Sequence, residues 1–137
     1  MMNVINGGAH ADNSIDLQEF MVVPLGASTF AEALQVGTEV FHALKALLHE
    51  RGHATNVGDE GGFVPNLSSS EEAIATIVEA AEQAGHLDRI GIALDPAASE
   101  FYDAGAYRFE GREADGAGMA DFYESLADRF PLVSVED

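Results

Sequence analysis

The sequence has no cysteine and few basic residues. Without cysteine, this chain of 137 residues forms no disulfide bond and no thiolate metal site. Its 6 Lys and Arg residues are outnumbered by 24 Asp and Glu residues, which gives a formal net charge of −18 at pH 7. A surface of this kind repels nucleic acids and anionic membranes, so we expect neither as a partner.

Long apolar runs are also missing. No run approaches the ~20 residues that a membrane-spanning helix requires. The first residues, Met1-Met2-Asn3-Val4, lack the basic and apolar regions of a secretory signal peptide. We therefore expect a cytoplasmic protein with no membrane span. The chain length fits one domain, or part of one, with a sizeable core.

Apolar patterning alternates between strand-like and helix-like segments. Helical periodicity predicts three helices: one from the capping box at Thr29 to Gly52 with a candidate break at Gly37, one from Ser69 to near Gly85, and one around Phe122. Short apolar runs predict strands at residues 2–5, 20–24, 90–94 and 132–135, a minor strand at 107–109, and the end of another at Val57. This alternation is typical of βαβ units, so the sequence predicts an α/β fold with a mainly parallel sheet.

Three of the predicted strands end in carboxylates, which follow Val57 (Asp59, Glu60), Leu94 (Asp95) and Val135 (Glu136, Asp137). In parallel α/β folds, ligands bind beyond the carboxyl ends of the strands. Carboxylates that meet at one rim repel each other unless they are protonated or neutralised by a cation, and Mg²⁺ suits such oxygen ligands. The alternative is that each acid only caps the helix or turn that follows it.

A glycine-rich segment, Val57-Gly58-Asp59-Glu60-Gly61-Gly62-Phe63, holds two of these acids. Glycine lets a backbone approach a ligand closely, so the acids within the segment can face a substrate. The segment lacks the spacing and the lysine of a P-loop, which argues against nucleotide binding. It predicts a proton donor, and neighbouring carboxylates with partial desolvation are expected to keep the Glu60 carboxyl protonated.

One segment matches a zinc-binding motif in its residue types and spacing. His49-Glu50-Arg51-Gly52-His53 matches H-E-x-x-H, which in zinc proteases places two histidines on one helical face. Gly52 stands where the predicted helix ends, so we expect His53 to lie off that helix. No third ligand follows at a recognisable spacing. The sequence therefore disfavours a metalloprotease.

A series of motifs resembles the enolases (phosphopyruvate hydratases) from one end of the chain to the other. In order, they are Asn6-Gly7-Gly8-Ala9-His10-Ala11, Leu17-Gln18-Glu19-Phe20-Met21, Glu39-Val40-Phe41-His42, Asn56 to Phe63, Ala93-Leu94-Asp95, Ala98-Ser99-Glu100-Phe101 and Ser134-Val135-Glu136-Asp137. The resemblance implies a partial (β/α)8 TIM-like barrel of the enolase type, which opens ββαα before its βα repeats. About five of the eight barrel strands would be present. Residues 1–137 would be the N-terminal part of the enolase C-terminal barrel domain.

The resemblance also implies roles for four polar residues. Glu60 matches the acid that delivers a proton to the departing hydroxyl group, and Glu19 supports that delivery. His10, Gln18 and Glu19 match residues that face the substrate. The glycine segment that holds Glu60 thereby receives the same role from the resemblance as from its own composition.

Two further carboxylates, Asp95 and Glu136, match two of the three ligands that hold Mg²⁺ in the family. The implied enzyme is a carbon–oxygen lyase of glycolysis that reversibly dehydrates 2-phosphoglycerate to phosphoenolpyruvate. It would act on this small molecule as a homodimer or a higher assembly.

Some family features have no counterpart in these residues. The lysine base, the third metal aspartate, the phosphate-binding residues and the N-terminal domain are not matched, and Lys45, the single lysine, lies in a predicted helix at an unrelated position. We therefore expect the isolated chain to be inactive. The alternative is a non-catalytic acidic scaffold or interaction fragment that keeps the fold.

Overall fold

Three helices and seven strands make up the fold in a computed structural model that describes residues 1–137. A hairpin comes first, two helices follow, and the remaining strands surround a third helix. In chain order the elements are β1 (Met2–Asn6), β2 (Glu19–Pro24), α1 (Phe30–Glu50), α2 (Ser70–Gln83), β3 (Ile90–Asp95), β4 (Tyr102–Asp103), β5 (Ala106–Phe109), β6 (Arg112–Ala114), α3 (Gly116–Ala127) and β7 (Leu132–Val135).

Each helix begins at a side-chain cap. The side chains of Thr29, Ser69 and Asp115 accept a hydrogen bond from the backbone N–H three residues further on, which satisfies a donor that the helix itself leaves free. The two starts predicted from capping boxes, at Thr29 and Ser69, are therefore confirmed.

The first helix is continuous. Gly37 does not break it, because this residue is buried where α1 meets Met2 and Pro24. The helix ends at Glu50, and Gly52 follows with a left-handed φ of +76°. Glycine adopts this angle without strain, which is why the chain turns there.

The main sheet has four strands in the order β1-β2-β3-β7. Only the β3–β7 pair is parallel, so the expectation of a mainly parallel sheet is wrong for this chain. The reason is the number of helices between strands. No α-helix separates β1 from β2 and two separate β2 from β3, so the direction reverses, whereas the single helix α3 returns the chain for a parallel β7. This is the predicted ββαα opening followed by βα, and the sheet is open, as in a partial barrel.

The strand predicted to end at Val57 is absent. Val57 forms only an isolated bridge with Phe63, and Phe63 forms another with Ile5. The segment folds back on itself at its glycines, so its backbone hydrogen bonds are local or go to β1. The main sheet consequently has four strands where about five were expected from the sequence.

A second sheet lies between β3 and α3. Strands β4, β5 and β6 form an antiparallel meander, of which the sequence predicted only the part at 107–109. Phe109 of β5 packs against Phe122 of α3, with ring centroids 5.0 Å apart. The meander therefore covers the third helix.

The hydrophobic core is one cluster of 24 buried residues, contributed by the main sheet, the inner faces of the helices and residues of the loops. Its largest fully buried side chains include Phe20, Leu44, Ile74 and Ile92. No helix has both the length and the apolar character required to cross a membrane. The core fixes the sheet against the helices and leaves one rim of the sheet to polar residues.

Candidate active site

The predicted functional residues gather at one rim of the main sheet. Glu19, the first residue of β2, pairs with Asn6 at the end of β1 and with Asp95 at the end of β3. Since β2 runs antiparallel to both neighbours, its start lies beside their ends. The end of β7 joins the same rim, because the N–H of Glu136 donates to the carbonyl of Leu94 at 3.0 Å.

Three other carboxylates affect the pKa of Glu19. Partial burial raises the pKa of Glu19, and the negative charges of Asp95, Glu60 and Glu136 raise it further, while His10 opposes them. The structure therefore brings together the four acids that the sequence singled out on separate segments. The expectation of acids at neighbouring strand ends holds for Asp95 and Glu136, whereas Glu60 lies on a turn, and the functional roles of these residues stay predictions.

His10 and Gln18 lie on the loop that joins β1 to β2. His10 Nδ1 is 3.6 Å from Glu19 Oε1, and both side chains are mostly buried, at 29% and 19% exposed. Nδ1 has no hydrogen-bond partner in the structure. The carbonyl of Gln18 accepts from the N–H of Gly7 at 2.9 Å, which closes the base of the loop. His10 thus faces the acids, and the backbone of Gln18 holds the loop that carries it.

Glu60 lies in a tight glycine turn rather than at a strand end. The N–H of Gly58 donates to the carbonyl of Gly62 at 2.9 Å, and the N–H of Gly61 donates back to Gly58 at 3.0 Å. The Glu60 side chain is exposed, so the partial desolvation expected from the sequence is not found. Its charge nevertheless acts on Glu19. The acid whose protonated form is favoured by burial is Glu19.

Two buried residues anchor the Glu60 turn to the sheet. Phe63 is fully buried, exchanges backbone hydrogen bonds with Val4 and Asn6, and stacks on Phe41 of α1 with centroids 4.3 Å apart. The Asn6 amide, also fully buried, fills the space beside Gly62, where an added Cβ would lie 2.6 Å from Asn6 Oδ1. A side chain at Gly62 would therefore push the turn away from β1.

Backbone amides after β3 hold the carboxylates at the strand ends. Asp95 Oδ1 accepts from the N–H of Ala97 at 2.9 Å. Both side-chain oxygens of Asp137 lie within reach of the N–H of Ala98, at 3.0 and 3.1 Å. These contacts join the ends of β3 and β7, so Asp95 and Glu136 stay on neighbouring strands. One oxygen of Asp95 therefore caps the turn that follows the strand, as the alternative interpretation of these acids predicted. The other oxygen has no hydrogen-bond partner in the protein.

The carboxylate oxygens at this rim are the type of ligand that binds a hard cation. Asp95 and Glu136 supply carboxylate oxygens from adjacent strand ends, the ligand type that Mg²⁺ prefers. No group of three or more His, Asp or Glu side chains in the chain is arranged to hold a metal ion. These residues therefore offer part of a ligand set.

The H-E-x-x-H segment does not form a helical pair of histidines. Helix α1 ends at Glu50 and the backbone turns at Gly52, so His53 lies off the helix that carries His49. The N–H of His53 donates to the carbonyl of Leu48 at 2.9 Å. The single lysine, Lys45, is exposed on the same helix.

Sequence reasoning missed the residues that support the site. Asn6 and Asp137 both lie within motifs that were recognised, but neither was given a role. A fully buried asparagine at a strand end was not detectable from apolar periodicity. The only available signal for Asp137 was its position next to Glu136.

The family comparison agrees with this geometry. The family model described as "Enolase, C-terminal TIM barrel domain" matches residues 1–137, which is the whole chain. The match covers both the open sheet and the rim where the carboxylates meet. The chain therefore belongs to the enolase family and folds as part of its C-terminal TIM barrel domain.

Proposed function

We propose that the protein to which this chain belongs dehydrates 2-phosphoglycerate to phosphoenolpyruvate with Mg²⁺. The observation that carries the proposal is the convergence of Glu19, Glu60, Asp95 and Glu136 at one rim, in a chain matched throughout by the enolase barrel family. Three carboxylates that act on a fourth, partly buried one are unfavourable in a merely structural role. A reaction that needs both proton transfer and a cation accounts for them.

In the dehydration, a base takes the C2 proton, the C3–O bond breaks as a C2=C3 double bond forms, and the hydroxyl group leaves as water after an acid gives it a proton. Glu60 would give the C3 hydroxyl its proton; in support, the turn exposes the carboxyl while Phe63 and Asn6 fix the turn to the sheet. Glu19 retains a proton more readily than an exposed glutamate and supports this transfer. A bound Mg²⁺ would neutralise the substrate carboxylate and the charge that develops on it.

Asp95 and Glu136 would hold this cation, while His10 and Gln18 would face the substrate from the β1–β2 loop. The single lysine of these residues is exposed on α1, so the rim contains no lysine for removing the C2 proton. We therefore propose that the 137 residues alone do not turn over 2-phosphoglycerate. We also propose a cytoplasmic location and a homodimer or higher assembly for the protein in its natural reading frame.

The test is conversion of 2-phosphoglycerate by the protein expressed in its natural reading frame, with and without Mg²⁺. A Glu60→Gln variant keeps the size and removes the proton donor, and Asp59→Asn, at the neighbouring exposed acid, is the matched control. Magnesium-dependent turnover that falls at least about 100-fold in Glu60→Gln and little in Asp59→Asn is the expected result. A folded protein that binds Mg²⁺ without turnover would instead support the acidic scaffold.

A further inference from the structure

The turn of the β5–β6 hairpin has an unusual residue at its tip. Glu110 and Gly111 connect the paired residues Phe109 and Arg112, and both have positive φ, +50° and +72°. This is the two-residue turn that favours Asn-Gly or Asp-Gly, so a glutamate at the first position is strained. The Glu110 side chain is nonetheless only 4% exposed. Its buried carboxylate lies 3.7 Å from Arg112 Nη2 on the neighbouring strand, and the residue makes two further contacts outside the hairpin.

One partner of Glu110 lies in the β1–β2 loop. The backbone N–H of Glu110 donates a hydrogen bond to Asp16 Oδ2 across 94 residues of sequence. Asp16 lies two residues before Gln18 and three before Glu19.

A second partner lies at the start of α2. The Glu110 carboxylate accepts from the backbone N–H of Ser70, the first residue of that helix. Ser70 is fully buried, and its own hydroxyl has no hydrogen-bond partner. The Glu110 carboxylate therefore caps α2 alongside the Ser69 hydroxyl, while its backbone N–H serves a different element.

The loop that receives the Asp16 contact is also held elsewhere, because its Ile15 and Leu17 side chains are buried in the core. Its base is closed by hydrogen bonds from Gly7 to Gln18 and from Gly8 to Ile15, at 2.9 and 2.7 Å. Asn13 and Ser14 bind the segment at 65–67 on its opposite side. Among the side chains of residues 15–19, Asp16 is the one that binds the meander. Losing this bond would leave the Gln18 end of the loop without its side-chain hydrogen bond to the meander, held by its backbone and by the buried Leu17 side chain.

We propose that Asp16 and Glu110 are positioning residues that fix the Gln18–Glu19 end of the loop at the active-site rim. Asp16 accepts a hydrogen bond from the backbone N–H of Glu110 at the hairpin tip, and the Glu110 carboxylate accepts one from the first residue of α2. Helix α2 therefore supports the substrate-facing loop through the hairpin tip. The proposal rests on the proposed function, because its effect on catalysis requires that Gln18 and Glu19 act on substrate.

The test compares three variants of the protein in its natural reading frame. Asp16→Ala removes the contact to the loop, Asp16→Asn keeps an acceptor oxygen, and Glu110→Gly keeps the N–H for Asp16 but loses the cap on α2. Amide hydrogen exchange is followed at Gly7 and Gly8 for the loop and at Ser70 for α2. If Asp16→Ala does not fold, Asp16→Ser replaces it, because its shorter side chain does not span the same gap.

The two contacts should have distinguishable effects on the amide exchange rates. We expect Asp16→Ala to speed exchange at Gly7 and Gly8 about 10-fold and to leave Ser70 within about threefold. Glu110→Gly should speed exchange at Ser70 and, because the hairpin tip is then no longer held on α2, also at Gly7 and Gly8 by a smaller factor, and Asp16→Asn should resemble the parent protein. Unchanged exchange at Gly7 and Gly8 in Asp16→Ala would overturn the proposal, whatever the substrate is.

Kinetics then distinguish a positioning role from a structural one. With 2-phosphoglycerate, Asp16→Ala should raise KM about 10-fold with a smaller change in kcat, and Asp16→Asn should restore KM to within about threefold of the parent. Faster loop exchange with unchanged kinetic constants would overturn the positioning role. A parent protein with no turnover would count against the proposed function alone, since hydrogen exchange tests the contact independently.

Discussion

Glu19 and Asp95 lie directly opposite each other on the antiparallel strands β2 and β3. Side chains opposite each other in such a pair are neighbours, so two carboxylates there repel one another. The backbone register, rather than any side-chain flexibility, imposes this proximity. The rim therefore favours either a proton on Glu19 or a cation beside Asp95.

The first prediction concerns the pH dependence of stability at Glu19. Partial burial and then Asp95 raise the pKa of Glu19 in the folded state above its ordinary value of 4.5. Its protonated form therefore stabilises the fold, and that contribution is present below pH 4.5 and is lost as the pH rises through the folded pKa. We expect Glu19→Gln to raise the free energy of unfolding at pH 7 by about 0.5–1 kcal/mol.

Urea unfolding at pH 7 and at pH 3.5 measures this effect. The gain should vanish at the lower pH, where the parent carries a proton at Glu19. Glu124→Gln, at an exposed acid on α3, is the matched control and should change stability little at either pH. A Glu19→Gln protein that is less stable than the parent at pH 7 would show that the carboxylates do not repel as argued.

The second prediction concerns the start of α1. The Thr29 hydroxyl accepts from the N–H of Glu32 at 3.1 Å, so Thr29→Ala leaves that donor without its cap. We expect a loss of about 1 kcal/mol in the free energy of unfolding. Thr38→Ala in the same helix is the control, since that exposed hydroxyl only bonds back to Leu34. Equal effects of the two substitutions in urea unfolding would argue against capping.

Local chemistry explains why these helix starts could be predicted from the sequence. A capping hydroxyl and its N–H donor lie three residues apart, so Thr29 and Ser69 carry their own signals. The acids after β3 and β7 were predictable for a similar reason, because a continuous apolar run marks where each strand ends. The rim positions of Asp95 and Glu136 follow from that local pattern.

Other features depend on residues that are distant in the sequence. Val57 was expected to end a strand, but the segment is instead anchored by Phe63, which hydrogen-bonds to Val4 and Asn6 of β1. These partners are distant in the sequence, so no local pattern could reveal them. The contact between Asp16 and Glu110 crosses 94 residues and uses a backbone donor, which no side-chain pattern reveals. The exposure of Glu60 likewise follows from how the glycine turn folds, and composition alone did not determine it.

The third prediction concerns the glycine turn that carries Glu60. An alanine at Gly62 would place its Cβ 2.6 Å from Asn6 Oδ1 and 3.0 Å from the Ile5 nitrogen, so the turn or β1 must move. We expect Gly62→Ala to cost about 1–3 kcal/mol in unfolding free energy. In the active protein it should also lower kcat, because the proton donor moves with the turn.

The control for this substitution is Gly116→Ala at the first residue of α3, where an added Cβ meets nothing within 4 Å. Alanine favours helix over glycine, so this variant should be neutral or stabilised by up to about 1 kcal/mol. Thermal unfolding and turnover are measured on both variants. If Gly62→Ala is as stable and as active as Gly116→Ala, close packing against Asn6 does not hold the turn.

The last prediction concerns Mg²⁺ at the strand ends. Asp95→Asn retains an oxygen for the N–H of Ala97, so it should preserve the fold while removing one negative ligand. We expect this variant and Glu136→Gln each to weaken Mg²⁺ binding at least about 10-fold in the protein expressed in its natural reading frame, because affinity for this cation depends on carboxylate charge. Isothermal titration calorimetry measures the binding, and Asp121→Asn, an exposed acid on α3, is the control. Mg²⁺ affinity that is the same in all three variants would place the cation elsewhere and leave the repulsion at this rim to be relieved by protonation of Glu19.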